Sequence, residues 1–443
     1  MMAKKKETLT SPFVPEEEQP YPIPENWCWT YLTAGFAECL DSHRKPINAI
    51  ERGDRSGNIP YYGATGQVGW IDDFLTNEQL VLVGEDGAPF LDLMKDKAYI
   101  IEGKAWVNNH AHILRSYYGS TGNFYLLNYL NCFDYTGYVN GTTRLKLTQA
   151  SMNTIPIPVA PLLEQQRIVD RIKSLFAKLD EAKEKAQAVV DGFELRKSAI
   201  LHKAFTGELT EKWRKENRVG LDSWETKRIN EIAKPRAGYA FDSKKFTNSG
   251  YQIIRMGNLY GGELDLSRNP VFIPLDDVDE TALKRSLVNN GDILITLTGT
   301  KYKRDYGYAV SIIDPINLLV NQRILCLTPS QDMERNYVLY YLRSNIFRDV
   351  FFSNETGGVN QGNVSSKFVE NIEIKVPPYA EQHEIVTILD RIMAKERQAE
   401  EAAEAVLAQI DTMKKAILAR AFRGELGTND PAEEWAGEMV KER

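Results

Sequence analysis

The sequence predicts a mixed α/β (α+β) fold in which two similar domains alternate with two long helices. Three observations support this: a long-range repeat, an aromatic β-rich block before each copy, and an apolar heptad pattern within each copy. We expect the helices to pair as an antiparallel coiled coil, so that a pseudo-twofold axis relates the two domains. The predicted segments are a disordered leader (1–20), a first domain (21–160), a first helical region (161–213), a second domain (214–377), a second helical region (378–426) and a C-terminal tail (427–443).

The repeat is carried by one long segment. Pro161–Val169 returns as Pro378–Val386, and 21 of 49 positions from Pro161 to Leu209 are identical to those 217 residues later, without a gap. Chance does not produce that agreement, so the segment is an internal duplication.

The blocks before the two copies share a texture of short apolar runs that end at glycine or polar turns. Leu80–Gly84 parallels Asp292–Gly299, and Ala105–His112 parallels Leu318–Leu325. Two homologous domains are therefore expected.

Both repeat copies have the apolar period of a coiled-coil seam. The seam is interrupted at Glu396, and the alternative is two independent helices that pack on their own domains. A helix of about 45 residues spans about 65 Å, which would hold two similar domains far apart. The predicted seam residues are Ile168, Ile172, Leu175, Leu179, Ala182, Ala186, Val189, Phe193, Ile385, Leu389, Ile392, Ala399, Ala403, Val406 and Ile410.

Composition favours a soluble chain of the cytoplasm. No run of 18 apolar residues predicts a membrane span, no apolar segment follows the basic N-terminus, and the four cysteines have no metal-binding spacing. A net charge of −7 argues weakly against nucleic acid, but seven cations lie between Lys227 and Arg255 against two acids, which allows a local basic groove.

Catalytic motifs are missing from the sequence. There is no phosphate-binding loop, and Val376–Tyr379 resembles an amino-methyltransferase motif only superficially, because valine cannot bind a target amino group. His110 and His112 have the spacing of half a metal site but no further ligands nearby in sequence. We expect no catalytic residue and no metal on this chain.

The repeated segments resemble the conserved helices of specificity (S) subunits of type I restriction–modification systems. The resemblance rests on Pro161–Val169 and its copy at Pro378–Val386, and on Lys197–Arg214 and its shorter copy at Lys414–Leu426. The second copy lacks the Thr-Glu-Lys-Trp-Arg continuation and ends in an acidic tail. The family implies two target recognition domains, each reading one half of a split sequence in double-stranded DNA, on an antiparallel coiled coil that works as a ruler.

The same resemblance implies partners and cofactors. Two methyltransferase (M) subunits would carry S-adenosylmethionine, and translocating restriction (R) subunits would use ATP and Mg, in the cytoplasm of a bacterium or archaeon. No cofactor and no membrane are expected on this chain. One alternative is a coiled-coil scaffold without sequence-specific DNA recognition, and another is an unrecognised methyltransferase or nuclease.

Cationic, amide and aromatic side chains in loops are the candidates for DNA contact, because arginine pairs with guanine and amides pair with adenine. The loop Thr298–Gly307 combines glycines, cations and aromatic residues, while its counterpart Gly84–Gly87 is acidic, so the domains should read different half-sites. Asn321 and its apparent counterpart Asn109 could instead hold turns. The predicted DNA-binding residues are Arg44, Lys45, Arg52, Arg55, Tyr61, Tyr62, Gln67, His110, Arg144, Arg236, Lys244, Lys245, Thr300, Lys301, Tyr302, Lys303, Arg304, Asn321, Gln322, Arg323, Asn360, Gln361 and Asn363.

Overall fold

A computed structural model describes residues 11–358 and 360–443. The chain forms two units. The first holds the described residues up to Gln187 together with Glu404–Arg443, and the second is Ala188–Ala403. The boundaries fall inside the two long helices, so each unit contains part of both.

The chain up to the end of the first long helix alternates short strands with short helices. In order, the elements are β1 (Cys28–Tyr31), β2 (Ala37–Cys39), α1 (Ala49–Asp54), β3 (Ile59–Gly63), β4 (Gly66–Ile71), β5 (Thr76–Asn77), β6 (Leu80–Gly84), β7 (Ala98–Ile101), β8 (Lys104–Val107), β9 (Ala111–Ser116), α2 (Gly119–Cys132), β10 (Val139–Asn140), β11 (Lys146–Leu147), α3 (Gln149–Asn153), β12 (Pro156–Val159) and α4 (Leu162–Phe205).

The remaining elements again mix short strands and short helices ahead of a long helix, and the final short helix belongs to the first unit. They are α5 (Glu211–Asn217), β13 (Glu225–Arg228), α6 (Ile229–Ile232), β14 (Ala233–Ala237), β15 (Tyr251–Ile254), β16 (Phe272–Ile273), α7 (Glu280–Ser286), β17 (Ile293–Thr296), β18 (Thr298–Gly299), β19 (Ala309–Ser311), β20 (Leu318–Val320), β21 (Ile324–Pro329), α8 (Arg335–Arg343), α9 (Asn345–Ser353), β22 (Gly362–Asn363), α10 (Ser366–Glu370), β23 (Glu373–Val376), α11 (Tyr379–Ala421) and α12 (Gly437–Lys441).

The two units have the same sheet plan. The main antiparallel sheet has the order β2-β9-β6-β7 in the first unit and β14-β21-β17-β19 in the second. The smaller sheet is built around one parallel pair, β3 with β8 and β15 with β20. The expected mixed α/β duplication is therefore present.

A separate antiparallel pair joins the first strand of each unit to the strand before its long helix. Cys28 lies opposite Val159 in β1 and β12, and Glu225 lies opposite Val376 in β13 and β23. The first residue of each long helix therefore lies close to the first strand of the block that precedes that helix.

Both units place the start of one long helix against the end of the other. In the first core, Ile168 and Ile172 of α4 share an apolar cluster with Leu418 of α11 and with Phe422, which directly follows that helix. In the second core, the start of α11 around Leu389 packs with Leu201, Ala204 and Phe205 at the end of α4. The two long helices therefore pack together in antiparallel orientation, as the sequence predicted.

The seam differs from the predicted one at two positions of α11. Ala399 and Val406 are exposed, whereas their neighbours Glu400 and Leu407 are half-buried. The apolar pattern favoured the more hydrophobic alanine over Glu400, and it could not distinguish Val406 from Leu407. The other predicted seam residues are buried or half-buried, and Glu396 is ion-paired with Arg196 at 2.6 Å.

A buried glutamate lies in the first turn of each long helix. Glu164 accepts a hydrogen bond from Trp27 Nε1 at 2.7 Å, and Glu381 accepts one from Trp224 Nε1 at 2.9 Å. The following glutamine caps the chain at both places, because its Nε2 donates to the carbonyl of the residue five positions earlier. The repeated Glu-Gln pair therefore fastens each helix to its own block.

Different segments complete these two glutamate sites. Thr210 and Arg214, after α4, donate to Glu381, both at 2.7 Å. Thr428 and Asn429 of the C-terminal tail donate to Glu164 at 3.3 and 2.9 Å. The tail thus donates hydrogen bonds to the buried glutamate of the first unit, and the Thr-Glu-Lys-Trp-Arg segment donates them to the buried glutamate of the second.

The prediction of a disordered leader over 1–20 is wrong for residues 11–20. Val14 is buried, and Phe13 stacks on Trp435 of the tail with ring centroids 5.7 Å apart. The Pro/Glu-rich composition concealed these two apolar anchors. Residues 1–10 lie outside the described part of the chain.

Left-handed glycines follow both long helices. Gly207 has φ +85° and Gly424 has φ +74°, and a Cβ there would lie 2.6 Å from Leu221 Cδ1 and 2.4 Å from Pro24 Cγ. The repeated Gly-Glu-Leu is therefore a helix-ending motif. Among the described residues, no helix has both the length and the apolar character needed to cross a membrane.

Candidate nucleic-acid interface

Three segments of the second unit converge on one cleft. β18 pairs with β22, which places Thr298 opposite Asn363, and the turn after β20 contributes two more side chains. The cleft has a volume of about 390 Å³ and is lined by Thr298, Gln322, Arg323, Gly357, Gly358, Gln361 and Asn363. Four of the predicted DNA-binding residues thus lie around one space, although 41 positions separate the first from the last.

Several polar groups around this cleft are uncommitted. Within the described residues, the side chains of Gln322, Arg323 and Gln361 make no hydrogen bond or ion pair. Two amides and one guanidinium are the groups that pair with adenine and guanine edges in a DNA groove. The cleft therefore presents base-reading chemistry without internal partners.

The adjoining loop Thr298–Gly307 is held from several sides. The Tyr302 amide donates to Glu355 at 3.1 Å, Lys301 Nζ donates to the Gly357 carbonyl at 3.0 Å, and the Thr300 amide donates to Asp305 at 2.7 Å. These contacts fix the backbone and leave the predicted residues Tyr302 and Lys303 with exposed side chains.

Arg304 has a more structural position than the sequence suggested. Its guanidinium is ion-paired with Asp349 at 2.6 Å and lies 4.9 Å from the ring centroid of Phe352. It remains partly exposed, so it can contribute positive charge while it anchors the loop to α9. Asn360 lies exposed on the neighbouring turn.

Asn321 holds a turn. Its Oδ1 accepts the Arg323 amide at 3.3 Å, and its own amide donates to Ile254. In the first unit the same two roles belong to Asn108, which accepts the His110 amide at 2.8 Å and donates to Tyr62. The counterpart of Asn321 is therefore Asn108 and not Asn109.

The equivalent place in the first unit is neutralised internally. Asp86, in the turn after β6, binds His110 Nδ1 at 2.7 Å and Arg144 Nη2 at 3.0 Å. Glu85 binds Lys146 at 2.9 Å. The predicted residues His110 and Arg144 are thus brought together, and their carboxylate partner reduces the local positive charge.

A cluster of potential metal ligands, Asp41, Glu85 and His112, lies beneath this turn. His112 is buried, with Nδ1 2.6 Å from Asp41 and Nε2 2.9 Å from the Leu147 carbonyl. Arg44 forms ion pairs with both Asp41 and Glu85. The guanidinium therefore takes the place that a cation would occupy, and the cluster is a structural ion network.

The charge of this network is maintained by its contacts. Burial opposes ionisation of Asp41, but the hydrogen bond from His112 and the charge of Arg44 outweigh it and hold the pKa of Asp41 below its usual value. For Glu85, burial is likewise outweighed by the bonds from Lys146 and Arg44, which lower its pKa.

Most other candidates of the first block lie around two aromatic rings. Arg55 lies 4.7 Å and Lys45 5.9 Å from the centroid of Trp106, and Arg52 lies 5.0 Å from that of Tyr61. Arg55 is also ion-paired with Asp72, Tyr62 packs near Tyr99, and Gln67 is exposed.

Three predicted DNA contacts are corrected by the structure. Tyr61 is only 1% exposed and its hydroxyl accepts the Ile47 amide at 3.2 Å. Arg44 is enclosed by its carboxylates, and Arg236 is paired with the fully buried Asp292 at 2.5 Å. Tyr61 is therefore an interior residue, and the two half-buried arginines are already engaged with carboxylates of their own unit. Lys244 and Lys245 remain exposed on a short 3₁₀ turn.

Sequence reasoning missed the acids that shape the loop. Glu355 holds the Tyr302 amide, and Asp349 of α9 pairs with Arg304, each from about 50 residues away in sequence. No local pattern signals such partners, because they meet the loop only in the folded unit.

A duplicated α/β unit with a polar, partly uncommitted cleft defines a nucleic-acid recognition protein. The chain matches the family model described as "Type I restriction modification DNA specificity domain" over residues 35–190 and 222–407, and it belongs to that family.

Relatives of this chain have matching descriptions. It is 25% identical over 360 residues to a putative type I restriction enzyme specificity subunit of Haemophilus influenzae, covering 80% of this chain and 85% of that one. It is 22% identical over 419 residues to the EcoDI specificity subunit of Escherichia coli, covering 90% and 88%.

The fold is shared with a solved structure. The crystal structure of the HsdS subunit from Thermoanaerobacter tengcongensis superposes with a TM-score of 0.63 at 18% identity, covering 92% of this chain and 100% of that one.

The chain is therefore a DNA-recognition subunit of a type I restriction–modification system and is not itself an enzyme. Membership of this family implies that the chain acts on DNA together with other subunits of a type I restriction–modification system. The alternative of a scaffold without DNA recognition is not favoured.

Proposed function

We propose that the chain reads a split target in double-stranded DNA, with one half-site read by each unit. The long helices set the separation of the half-sites and dock two methyltransferase subunits, and restriction subunits complete the assembly in the cytoplasm of a bacterium or archaeon. S-adenosylmethionine belongs to the methyltransferase subunits, and ATP and Mg belong to the restriction subunits.

The observation that carries this proposal is the cleft lined by Gln322, Arg323 and Gln361. It combines base-reading groups that have no side-chain partner among the described residues with a cationic loop of fixed shape. In the first unit the corresponding three segments meet around Asp86, His110 and Arg144. Fixed geometry matters because a bidentate contact discriminates bases only when the side chain is correctly positioned.

Different chemistry at the equivalent places of the two units supports two different half-sites. The first unit has a carboxylate, Asp86, bound to His110 and Arg144, and a carboxylate can accept a hydrogen bond from a cytosine amino group. The second has a guanidinium and amides that make no side-chain bond within the described residues. A symmetrical target would need matching chemistry in both.

An apolar surface on α4 supports docking of a partner protein. Leu195 is 75% exposed and borders a cavity of about 410 Å³ between α4 and α9, together with Ala199 and Ile346. A large exposed apolar side chain beside a cavity is typical of a protein-binding surface.

The test is co-expression with a methyltransferase subunit of the same system, followed by modified-base sequencing of the host DNA. We expect a split methylated motif that disappears when this chain is omitted. A stable complex that methylates no split motif would contradict the proposal.

The scaffold alternative is tested with the triple variant Lys301→Ala, Lys303→Ala, Arg304→Ala. DNA recognition predicts loss of specific methylation while the complex still assembles, because all three side chains are partly or fully exposed. Unchanged methylation would favour the scaffold.

A further inference from the structure

Tyr302 is a highly exposed aromatic residue of the cationic loop. The residue is 81% exposed, and Lys301 Nζ lies 5.0 Å from its ring centroid. A tyrosine ring left in water does not contribute to the stability of the fold. We therefore consider that the ring contacts a ligand outside this unit.

The backbone beneath this ring is strained and tightly held. Tyr302 has φ +68° and Arg304 has φ +53°, a region that residues other than glycine seldom occupy. Arg348 binds the carbonyls of Arg304, Tyr306 and Gly307 at 2.7 to 3.1 Å, and Glu355 holds the Tyr302 amide. Strain that is maintained by so many contacts is characteristic of functional sites.

The surroundings of the ring select a nucleic acid as its ligand. Lys301, Lys303 and Arg304 flank it in sequence, and the base-reading cleft lies on the neighbouring strand pair. A rigid aromatic ring among cations is the arrangement by which proteins stack on bases while they neutralise phosphates.

We propose that Tyr302 is a wedge that stacks on a base at an opened step of the half-site read by the second unit. This assignment rests on the proposed function. In intact duplex DNA the base faces are covered by their neighbours, so stacking requires a step that is kinked or has lost a base from the stack. Methyltransferases extrude the base that they modify, and an inserted ring would stabilise the opened duplex.

The test uses the complete complex with methyltransferase subunits and a duplex that carries the methylated motif, with 2-aminopurine at each position of the half-site in turn. Apart from the base that the methyltransferase subunit extrudes, whose fluorescence should change in every variant, we expect a change at one further step with the wild type and with Tyr302→Phe, and none at that step with Tyr302→Ala. Affinity for the duplex should fall about tenfold or more in Tyr302→Ala, since stacking on one base contributes that much, and stay within about twofold in Tyr302→Phe.

Ile316→Ala is the matched control, because Ile316 is also 81% exposed but lies on a different loop of the same unit, outside the cationic loop. It should bind DNA as the wild type does. Wild-type binding and fluorescence in Tyr302→Ala would overturn the wedge, and an equal loss in Tyr302→Phe would assign the effect to the hydroxyl and overturn it too. A wild-type complex that does not prefer the motif would overturn the proposed function and the wedge with it.

Discussion

The buried glutamates that begin the long helices have different partners. Glu381 is ion-paired with Arg214 at 2.7 Å inside the second unit. Glu164 accepts hydrogen bonds from Trp27, Asn429 and Thr428, and burial raises its pKa although those bonds oppose the shift. The two sites should therefore respond differently to loss of the negative charge.

We predict that Glu164→Gln changes stability in a pH-dependent way. The folded-state pKa of Glu164 lies above its unfolded value of about 4.3. The stability that its proton contributes is therefore complete below the unfolded pKa and is lost as pH rises through the folded pKa. Because glutamine does not titrate, the unfolding free energy of the variant relative to wild type should rise as the pH increases from the unfolded pKa through the raised folded-state pKa of Glu164. Urea unfolding at several pH values measures this.

The matched change Glu381→Gln should destabilise the second unit by about 3 kcal/mol at neutral pH, since it leaves the buried Arg214 without a counter-charge. Equal effects of the two variants at every pH would contradict this account of the glutamates.

At the cleft we predict different consequences for Arg323→Ala and Lys303→Ala. The free guanidinium of Arg323 faces the cleft, so its loss should cost about 1–3 kcal/mol of specific binding and relax the target at one position. Lys303 is exposed on the loop, so its loss should weaken binding to all sequences and lower the salt dependence by about one ion. Binding titrations at several salt concentrations distinguish them, and a uniform effect of Arg323→Ala would argue against base reading.

The helices show where apolar periodicity is sufficient as a guide and where it fails. It predicted both helices and their mutual packing, because Ile168, Ile172, Ile385 and Leu389 lie on one face and are almost completely buried. It failed where adjacent residues compete for the seam, as at Val406 and Leu407. The cleft was only partly predictable, because Glu355 and Asp349 reach the cationic loop through tertiary pairing that no local pattern contains.

The corrected seam gives a prediction within α11. Ile410 is 1% exposed and Val406 is 42% exposed, four residues apart in the same unit. Ile410→Ala should lower the unfolding free energy by about 2–5 kcal/mol because it leaves a cavity, whereas Val406→Ala should change it by no more than about 0.5 kcal/mol. Chemical denaturation measures the unfolding free energy of both variants. A larger loss for Val406→Ala than for Ile410→Ala would support the seam that the sequence predicted and contradict the corrected one.

At the scale of the whole molecule, the C-terminal tail (427–443) packs on the first unit. Arg167 binds Glu433 through two bonds of 2.8 Å, and Trp435 Nε1 donates to the Trp27 carbonyl at 3.0 Å. Deletion of residues 428–443 should therefore increase amide hydrogen exchange in β1 and β12, while β13 and β23 stay protected. Equal loss of protection in both strand pairs would show that the tail stabilises more than its own unit.

The central claim is that two recognition units read two half-sites at a spacing set by the long helices. The most direct test deletes one heptad from each helix, residues 178–184 and 395–401, and maps methylation by modified-base sequencing of cells that also make the methyltransferase subunit. Seven helical residues span about 10 Å, the length of about three base pairs. We predict both half-sites unchanged and a spacer about three base pairs shorter, whereas methylation of the same half-sites at the original spacing would contradict the account.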